Sequence, residues 1–175
     1  MSNFQELCNA DIARYGGNPE LYIKLFLFLY RKSATVLFVP AKFLCKALFR
    51  FLVNRRCAEI VANQNVEMGF TWGYAYNITI NNRVLIGSNC KIHKGGVIGQ
   101  AYHGPHKGYS TIGDRVWIGI NSAIVGNVNI GDDVMIAPNC FVNVDIPSHS
   151  VVFGNPCIFK HRAWATEGYV NNIIE

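Results

Sequence analysis

Residues 112–142 read IGDRVWIGINSAIVGNVNIGDDVMIAPNCFV, and an isoleucine returns every six positions, at 112, 118, 124, 130 and 136, with Val142 next. The same spacing occurs upstream at positions 80, 86, 92 and 98. A period of six matches neither the 3.6 of a helix nor the 2 of an ordinary strand. It is typical of a solenoid, in which each short strand stacks on its equivalents in the neighbouring coils.

We call the hydrophobic residues that return every six positions the pacing residues. Two further sets of positions, or columns, recur with the same spacing. The position after each pacing residue is often small, which suits a corner where stacked coils approach closely. The fourth position after each pacing residue carries a side chain of modest size, which suits a narrow interior. The first column holds Gly87, Gly99, Gly113, Gly119, Gly131 and Ala137, and the second holds Val84, Cys90, Gly96, Val116, Ser122, Val128, Val134 and Cys140.

The N-terminal third differs from the rest of the chain. Residues 1–60 hold nine Lys or Arg against four Asp or Glu, so the whole net charge of +5 lies there. We predict an α-helical region at 1–60, a β-helix at 61–158 with a loop at 99–111, and a tail at 159–175. Asn18-Pro19 and Pro40 are typical of helix starts, and two to four helices are expected. The uncharged runs are shorter than the ~18–20 residues that a spanning helix needs.

Two roles remain open for these helices. Their apolar faces pack on the β-helix and on neighbouring subunits, or a basic amphipathic surface makes peripheral contact with the membrane. Nucleic acid is not expected as a partner, because the basic pattern does not continue into the repeats. The six cysteines lack metal-finger spacing and the N-terminus lacks a signal-peptide pattern. These features favour reduced thiols and a cytoplasmic location, with the inner face of the membrane as an alternative.

The rhythm breaks once, because thirteen residues instead of five separate Ile98 from Ile112. Departures from a repeat commonly carry function. This excursion contains His103 and His106, and His93 precedes it in the coil. Histidine can accept and return a proton near neutral pH, so all three are candidate bases.

The hexad columns, the segment IGDRVWIG at 112–119 and the exit DIPSHSVVFGNP at 145–156 resemble the hexapeptide-repeat acyltransferases. The ending ATEGYVNN at 165–172 is most similar to serine-acetyltransferase-like enzymes of surface-polysaccharide clusters. The resemblance implies a mainly β fold, a left-handed parallel β-helix with an α-helical N-terminal region. Handedness comes from the resemblance alone, because generic crossover rules favour the right hand.

The resemblance also implies a mechanism. A histidine removes a proton from an acceptor hydroxyl, the oxygen attacks the thioester of acetyl-CoA, backbone N–H groups hold the oxyanion, and the histidine protonates the leaving thiolate. The sites of such enzymes lie between the subunits of a homotrimer. We therefore expect transfer of an acetyl group to a hydroxyl of a small molecule or glycan, foremost a sugar of a surface polysaccharide, with no metal.

His103 is the preferred base, since its spacing from Asn89 resembles that of the galactoside and maltose acetyltransferase branch. In the serine acetyltransferase branch the base lies one coil earlier, where this chain carries Tyr74, and that branch's second histidine falls near Tyr109. A phenol is a poorer base than an imidazole at neutral pH. Both departures count against serine as the acceptor.

The remaining candidates are assigned by the resemblance and by side-chain chemistry. Backbone amides around Gly119, Ile120, Ala137 and Pro138 are expected to line the groove for the pantetheine arm, and Trp117 is expected to lie exposed or stacked at a rim. Lys160 and Arg162 are expected to bind the nucleotide phosphates. The aspartates 114 and 145 and the asparagines 77, 89, 121 and 139 are expected at corners first. The cofactor candidates are Trp117, Gly119, Ile120, Ala137, Pro138, Lys160 and Arg162, and the substrate candidates are Tyr74, Tyr76, Asn77 and Tyr102.

Three alternatives stay open. The first is a serine O-acetyltransferase. The second is a zinc hydrase like the γ-class carbonic anhydrases, with His93, His103 and His106 as ligands, although their spacing does not resemble that family. The third is a non-catalytic trimeric scaffold, against which the histidine-bearing loop argues.

Overall fold

The computed structural model describes residues 4–62 and 65–174, which form three helices followed by fourteen short strands. The helices are α1 (Phe4–Ala13), α2 (Leu21–Thr35) and α3 (Val39–Asn54). The strands are β1 (Glu59–Ile60), β2 (Thr71–Gly73), β3 (Thr79–Ile80), β4 (Leu85–Ile86), β5 (Lys91–His93), β6 (Val97–Gly99), β7 (Thr111–Ile112), β8 (Trp117–Ile118), β9 (Ala123–Val125), β10 (Asn129–Ile130), β11 (Val134–Ile136), β12 (Phe141–Val142), β13 (Ser150–Phe153) and β14 (Ile158–His161).

The strands stack into three sheets, which are the faces of a triangular β-helix. Face A is β1-β3-β6-β9-β12, face B is β4-β7-β10, and face C is β2-β5-β8-β11-β13-β14. Each coil visits A, then B, then C, and the pairing is parallel except between β13 and β14. Pacing residues stack in register, for example Ile80 on Ile98 and Ile92 on Ile118. The repeat predicted from the sequence is therefore confirmed.

The interior is lined by the pacing residues and by the second predicted column, the residues four positions after them. Val84, Cys90, Val116, Ser122 and their equivalents are buried. The small corner residues also have a steric reason, since a Cβ added to Gly113 would lie 2.4 Å from Oδ1 of Asp132 in the next coil. At this corner the contact leaves room only for glycine, whereas Ala137 and the open surroundings of Gly99 show that other corners of the column admit a Cβ.

The repeating residues of one coil were not recognised in the sequence, although most of that coil lies within residues 61–158, which were assigned to the β-helix. Ile60, Val66 and Trp72 repeat the period of six below Ile80, and all three are buried. Trp72 and Ile80 are eight positions apart rather than six, which conceals the continuation. Strand structure consequently begins at Glu59, within the residues assigned to the helical region, and β14 extends to His161, within the residues assigned to the tail.

The corners use left-handed backbone. Asn77, Asn121 and Asn139 have φ of 52°, 57° and 60° at the C–A corner, and Asn89 has φ of 60° at the B–C corner. Asparagine tolerates this region better than most residues. These four residues therefore lie at corners, as predicted.

The acidic corner residues hold neighbouring coils together. Oδ1 of Asp114 accepts the Ser88 N–H at 2.7 Å, and Oδ1 of Asp145 accepts the Asn129 N–H at 2.7 Å. Each carboxylate thus satisfies a backbone donor, and neither orients a histidine.

The three helices close the lower end of the β-helix. Phe26 and Tyr30 of α2 pack with Phe49 of α3 against Trp72, with ring centroids 5.2–5.8 Å apart. These residues are nearly inaccessible to solvent. The count of three helices agrees with the sequence prediction, and no helix among the described residues is long and apolar enough to cross a bilayer.

One helix start was misplaced. Asn18 and Pro19 were expected to begin a helix, but α2 begins at Leu21, and the Asn18 side chain accepts a hydrogen bond from Lys24 instead. The prediction for Pro40 is confirmed, since α3 begins at Val39 with the proline in its first turn.

A buried ion pair connects the helices to the first coil. The Arg31 guanidinium donates to both carboxylate oxygens of Asp11, at 2.8 and 3.0 Å, and to the carbonyls of Val66 and Glu67 at 2.6 Å each. Asp11 also accepts the Phe70 N–H at 3.1 Å. The helices therefore satisfy backbone groups that a further coil would otherwise pair.

Residues 162–174 form a strap that descends along the B–C corner. Asp133 accepts hydrogen bonds from the N–H groups of Ala165 and Thr166, from the Thr166 hydroxyl, and contacts Nδ1 of His149 at 2.9 Å. Burial opposes ionisation of Asp133, but these hydrogen bonds outweigh it and lower the pKa of its carboxyl. The upper end of the strap is thus fixed to the fourth coil.

The lower end of the strap reaches the first two coils and α1. Asn89 exchanges two hydrogen bonds with the backbone of Ile174, both at 2.9 Å. Arg14, directly after α1, donates to the carbonyls of Asn171, Asn89 and Gly69. The strap therefore connects the top of the β-helix to the N-terminal helices.

Candidate functional site

The predicted loop leaves the β-helix at the A–B corner as a short hairpin. Ala101 and Gly108 pair through two antiparallel hydrogen bonds of 3.2 and 3.0 Å. The Asn127 N–H donates to the His106 carbonyl at 2.8 Å, which fixes the hairpin to the next coil. The hairpin is therefore held by backbone bonds at its base.

The tip of the hairpin presents the predicted base. Tyr102 and His103 are exposed, and His106 is half-buried. The His103 imidazole makes no hydrogen bond with any residue that the structure describes. Its two nitrogens are available to an acceptor hydroxyl.

His93 occupies a different corner, at the C–A edge of face C. It pairs in register with Gly73 of the coil below, where an added Cβ would lie 2.5 Å from its Nδ1. Its ring lies 4.9 Å from that of Trp117, which in turn lies 5.0 Å from Tyr169 of the strap. Trp117 is only 9% exposed, so of the two predicted positions it takes the stacked one.

Both ring nitrogens of His93 are covered and lack a hydrogen-bond partner among the described residues. Burial lowers the pKa of this imidazole to about 4, and the charge of Lys91 contributes in the same direction. His93 is neutral at physiological pH, but an acceptor cannot reach it unless the covering groups move. The sequence placed His93 in the coil before the hairpin and carried no sign of this cover.

The other candidates lie on face C or at its C–A corner. Tyr74, Tyr76 and Asn77 are at the level of β2, one coil below His93, and Tyr74 is 77% exposed. Lys160 and Arg162 are exposed at the upper end, on β14 and just after it. At ~4.8 Å per strand, β5 and β14 are about 19 Å apart. Between them, in the third and fourth coils, lie Trp117, Gly119, Ile120, Ala137 and Pro138.

Two of the backbone N–H groups that were expected to line the cofactor groove already form hydrogen bonds within the β-helix. The N–H groups of Gly119 and Ala137 donate to the carbonyls of Ile136 and Val152, and Pro138 has no N–H. The Ile120 carbonyl accepts the Asn139 N–H. A pantetheine arm in this groove therefore has to use other backbone atoms than the N–H groups of Gly119 and Ala137.

One chain does not bring all the candidates together. The hairpin with Tyr102, His103 and His106 belongs to the A–B corner, whereas His93 belongs to face C with the cofactor candidates. The same separation places the three histidines of the zinc alternative on two corners. No group of three metal-ligating side chains lies together within residues 4–62 and 65–174.

The two tyrosines at the positions where the resemblance led us to expect histidines in the serine branch have different surroundings. Tyr74 projects into solvent at a corner with φ of 54°. The hydroxyl of Tyr109 accepts a hydrogen bond from Arg83 at 2.8 Å, and the guanidinium lies over its ring. Neither arrangement supplies a general base.

The imidazole of His93 is expected to titrate at a lower pH than an exposed histidine. By NMR its imidazole is expected to protonate near pH 4, against ~6.5 for an exposed histidine. The unfolded chain binds this proton at higher pH than the folded one, so His93 contributes stability above pH ~6.5 that is lost as the pH falls toward 4. A Tyr169→Ala variant should expose the stack of Trp117 on His93 and raise the pKa of the His93 imidazole, whereas Tyr102→Ala should leave that pKa unchanged. An unshifted titration in the unaltered protein would contradict the burial argument.

Parts of the chain are similar in sequence to known transferases. The family model of the bacterial transferase hexapeptide (six repeats) matches residues 109–144. A Staphylococcus aureus (strain COL) protein whose name proposes an acetyltransferase is 28% identical over 130 residues, which cover 61% of this chain and 65% of the relative. Serine acetyltransferase 4 of Arabidopsis thaliana is 32% identical over 91 residues, covering 52% of this chain and 26% of the relative.

A solved serine acetyltransferase in complex with CoA superimposes with a TM-score of 0.73 at 19% identity, and covers 90% of this chain and 69% of that structure. The matched repeats, the acetyltransferase relatives and this superposition support a place in the hexapeptide-repeat acyltransferase superfamily. The superposition shows the fold, and the left-handed parallel β-helix expected from the resemblance is confirmed. The match to the S. aureus protein spans slightly less than two thirds of that relative's length.

Proposed function

We propose that this hexapeptide-repeat protein is an acetyl-CoA-dependent O-acetyltransferase. The observation that carries the proposal is the hairpin at the A–B corner, which breaks the repeat and holds the His103 imidazole exposed, with no hydrogen bond to a described residue. The names of the relatives and the CoA complex of a structural neighbour support the same reaction class.

His103 acts as the general base. It takes the proton of an acceptor hydroxyl while the hydroxyl oxygen forms a bond to the thioester carbonyl carbon, and the carbon–sulfur bond then breaks. The protonated imidazole returns its proton to the departing thiolate, so the histidine ends in its starting state. The products are an acetyl ester and the free thiol of CoA.

The chain forms a homotrimer in this proposal. The hairpin and the cofactor column lie on different corners of one protomer, so a complete site needs the hairpin of one subunit against face C of its neighbour. This arrangement agrees with the symmetric oligomers that such folds commonly form. Light scattering should give three chains per particle, and a monomer at micromolar concentration would contradict the intersubunit site.

Acetyl-CoA fits the exposed positions of face C. Lys160 and Arg162 are free to contact phosphates at the upper end, because neither side chain pairs with a described residue. Cationic groups pair well with phosphate. The thioester end then points down the face toward the third and second coils.

A sugar hydroxyl is the proposed acceptor, and serine is the second candidate. The exposed aromatic rings of Tyr74, Tyr76 and Tyr102 offer flat apolar surfaces with polar tips. Serine is favoured by the serine acetyltransferases among the relatives and structural neighbours. The surroundings of Tyr74 and Tyr109 count against it, because the serine branch places histidines there.

The proposed location is the cytoplasm. All six cysteines are unpaired, and two of them, Cys90 and Cys140, are buried inside the coils. Burial raises the pKa of the Cys90 thiol to about 12 and so keeps it protonated. Reduced structural thiols are typical of a reducing compartment.

The acceptor can be tested by following thiol release from acetyl-CoA. Serine, nucleotide sugars and oligosaccharides are supplied in parallel, with mass spectrometry of the product. A sugar-dependent rate with an acetylated sugar supports the proposal, and a rate that depends on serine alone selects the second candidate. No release with any acceptor in a correctly folded trimer supports the scaffold alternative.

A matched pair of glycine variants tests whether the hairpin position matters. A Cβ at Gly126 would lie 2.5 Å from the His106 carbonyl oxygen, and φ there is 97°. Gly126→Ala is therefore expected to displace the hairpin and lower the rate of thiol release by roughly tenfold or more. Gly99→Ala is the control, because its Cβ meets Val97 at an ordinary 3.7 Å. Equal rates in the two variants, with unchanged circular dichroism, would remove the hairpin from the mechanism.

A further inference from the structure

Helix α3 contributes little to the core. Of its sixteen residues only Phe49 and Val53 are buried. Leu44, Leu48 and Phe51 are exposed although they are apolar. At ~100° per residue these three share one side of the helix, roughly opposite Val53. The helix therefore turns an apolar stripe away from the protein.

The connection between α2 and α3 continues this surface. Leu37 is 91% exposed and Phe38 is 70% exposed, and Val39 and Phe43 follow them with most of their surfaces in solvent. Adjacent large apolar residues at a loop and along a helix are uncommon on a monomer unless something covers them. We call Leu37, Phe38, Phe43, Leu44, Leu48 and Phe51 the apolar ridge.

Positive charge surrounds the ridge. No Asp or Glu occurs between Glu20 and Glu59, whereas this interval holds eight Lys or Arg. Arg31 is the only one of these eight with a salt bridge to a described residue, its pair with Asp11. Lys46 and Arg50 are exposed on the flank of α3 between the core side and the ridge, and Lys42, one turn before Lys46, is half-buried on the core side.

The positive charge around the ridge distinguishes between two partners that could cover it, a second copy of this chain and a lipid surface. A second copy of this surface would place the same cations against each other, since the interval contains no acidic residue to pair with them. An anionic lipid surface instead pairs with the cations while the apolar ridge enters the boundary of the acyl chains. We propose that α3 and the α2–α3 connection dock this protein onto an anionic membrane surface.

The geometry fits a helix that lies in the plane of the interface. Sixteen residues at 1.5 Å each give α3 a length of about 24 Å, too short to span the hydrocarbon core of ~30 Å. Docking buries the ridge without displacing Phe49 or Val53, so the β-helix keeps its cap. This proposal does not depend on the enzymatic one.

The test is co-sedimentation of the full chain with vesicles of phosphatidylglycerol or of phosphatidylcholine, at low and high salt. The unaltered protein is expected to pellet with phosphatidylglycerol at low salt and to remain largely in solution with phosphatidylcholine. Either the triple variant Leu44→Ser, Leu48→Ser, Phe51→Ser or the triple variant Lys42→Glu, Lys46→Glu, Arg50→Glu should lower partitioning by roughly tenfold or more. Circular dichroism checks that each variant folds.

The matched control changes apolar residues that are exposed elsewhere, Leu85→Ser, Val144→Ser and Ile173→Ser, and should pellet like the unaltered protein. Equal pelleting of control and ridge variants, or no pelleting of the unaltered protein with phosphatidylglycerol, overturns the proposal. It is also overturned if the serine variant of the ridge has a smaller mass by light scattering without lipid, because the ridge is then an interface between copies.

Discussion

His103→Ala is expected to lower the kcat of thiol release by about 10²- to 10⁴-fold, the usual contribution of a general base. The imidazole lies at the tip of the hairpin, exposed and without a partner among the described residues. Its removal leaves the backbone bonds at the base of the hairpin intact. The KM for acetyl-CoA should therefore change much less than kcat.

His106→Ala and His93→Ala are the matched controls. His106 anchors the hairpin through its carbonyl, which alanine retains, so this variant should keep most of the activity. His93→Ala removes a buried ring from the stack with Trp117 and should alter stability more than the pH profile of kcat. Full activity of His103→Ala would move the base to one of the other two histidines. Added imidazole that restores the His103→Ala rate would strengthen the assignment.

Arg31→Met is expected to destabilise the protein by about 3–5 kcal/mol, as is typical when one partner of a buried ion pair is removed. The Asp11 carboxylate stays buried without its cation, and the carbonyls of Val66 and Glu67 lose their donor. For a chain of this size the loss corresponds to a fall in Tm of roughly 6–20 °C. Urea unfolding followed by circular dichroism provides the measurement.

Two further variants show the origin of the effect. Arg55→Met removes an exposed arginine and should stay within about 0.5 kcal/mol of the unaltered protein. The double variant Asp11→Leu, Arg31→Met removes the stranded charge, so it should recover part of the loss, but the two carbonyls remain unpaired. An Arg31→Met protein as stable as Arg55→Met would show that the ion pair does not hold the cap.

The repeat could be read from the sequence because its cause is local. Every six residues the chain must place one side chain inside and turn a corner, so the isoleucines and the glycines recur at a fixed spacing. The continuation of the repeat through Ile60, Val66 and Trp72 was not recognised for an equally physical reason. The lower side of this coil packs on helices instead of another coil, which admits aromatic residues such as Trp72 and extra residues at the following corner.

The surroundings of the candidate site were less accessible to sequence reasoning. The break after Ile98 identified the hairpin, since a gap in a repeat is visible without knowing the fold. The stack beside His93 was not visible as a whole, because Tyr169, which packs on the Trp117 ring next to His93, lies 76 positions further along the chain than His93 and no spacing relates the two. The start of α2 was misplaced because Asn18 pairs with Lys24 rather than capping a helix.

The strap of residues 162–174 also bears on how the tube comes apart. A stack of repeats held only by contacts between neighbours can fray from either end, one coil at a time. Here Asp133 of the fourth coil and Asn89 of the second coil hold a single segment that also meets Arg14, which itself donates to the first coil, so loosening the fourth coil disturbs the lower coils as well. Opening at the upper end should therefore weaken the lower end, and the strap is expected to make a linear array unfold as a single cooperative unit.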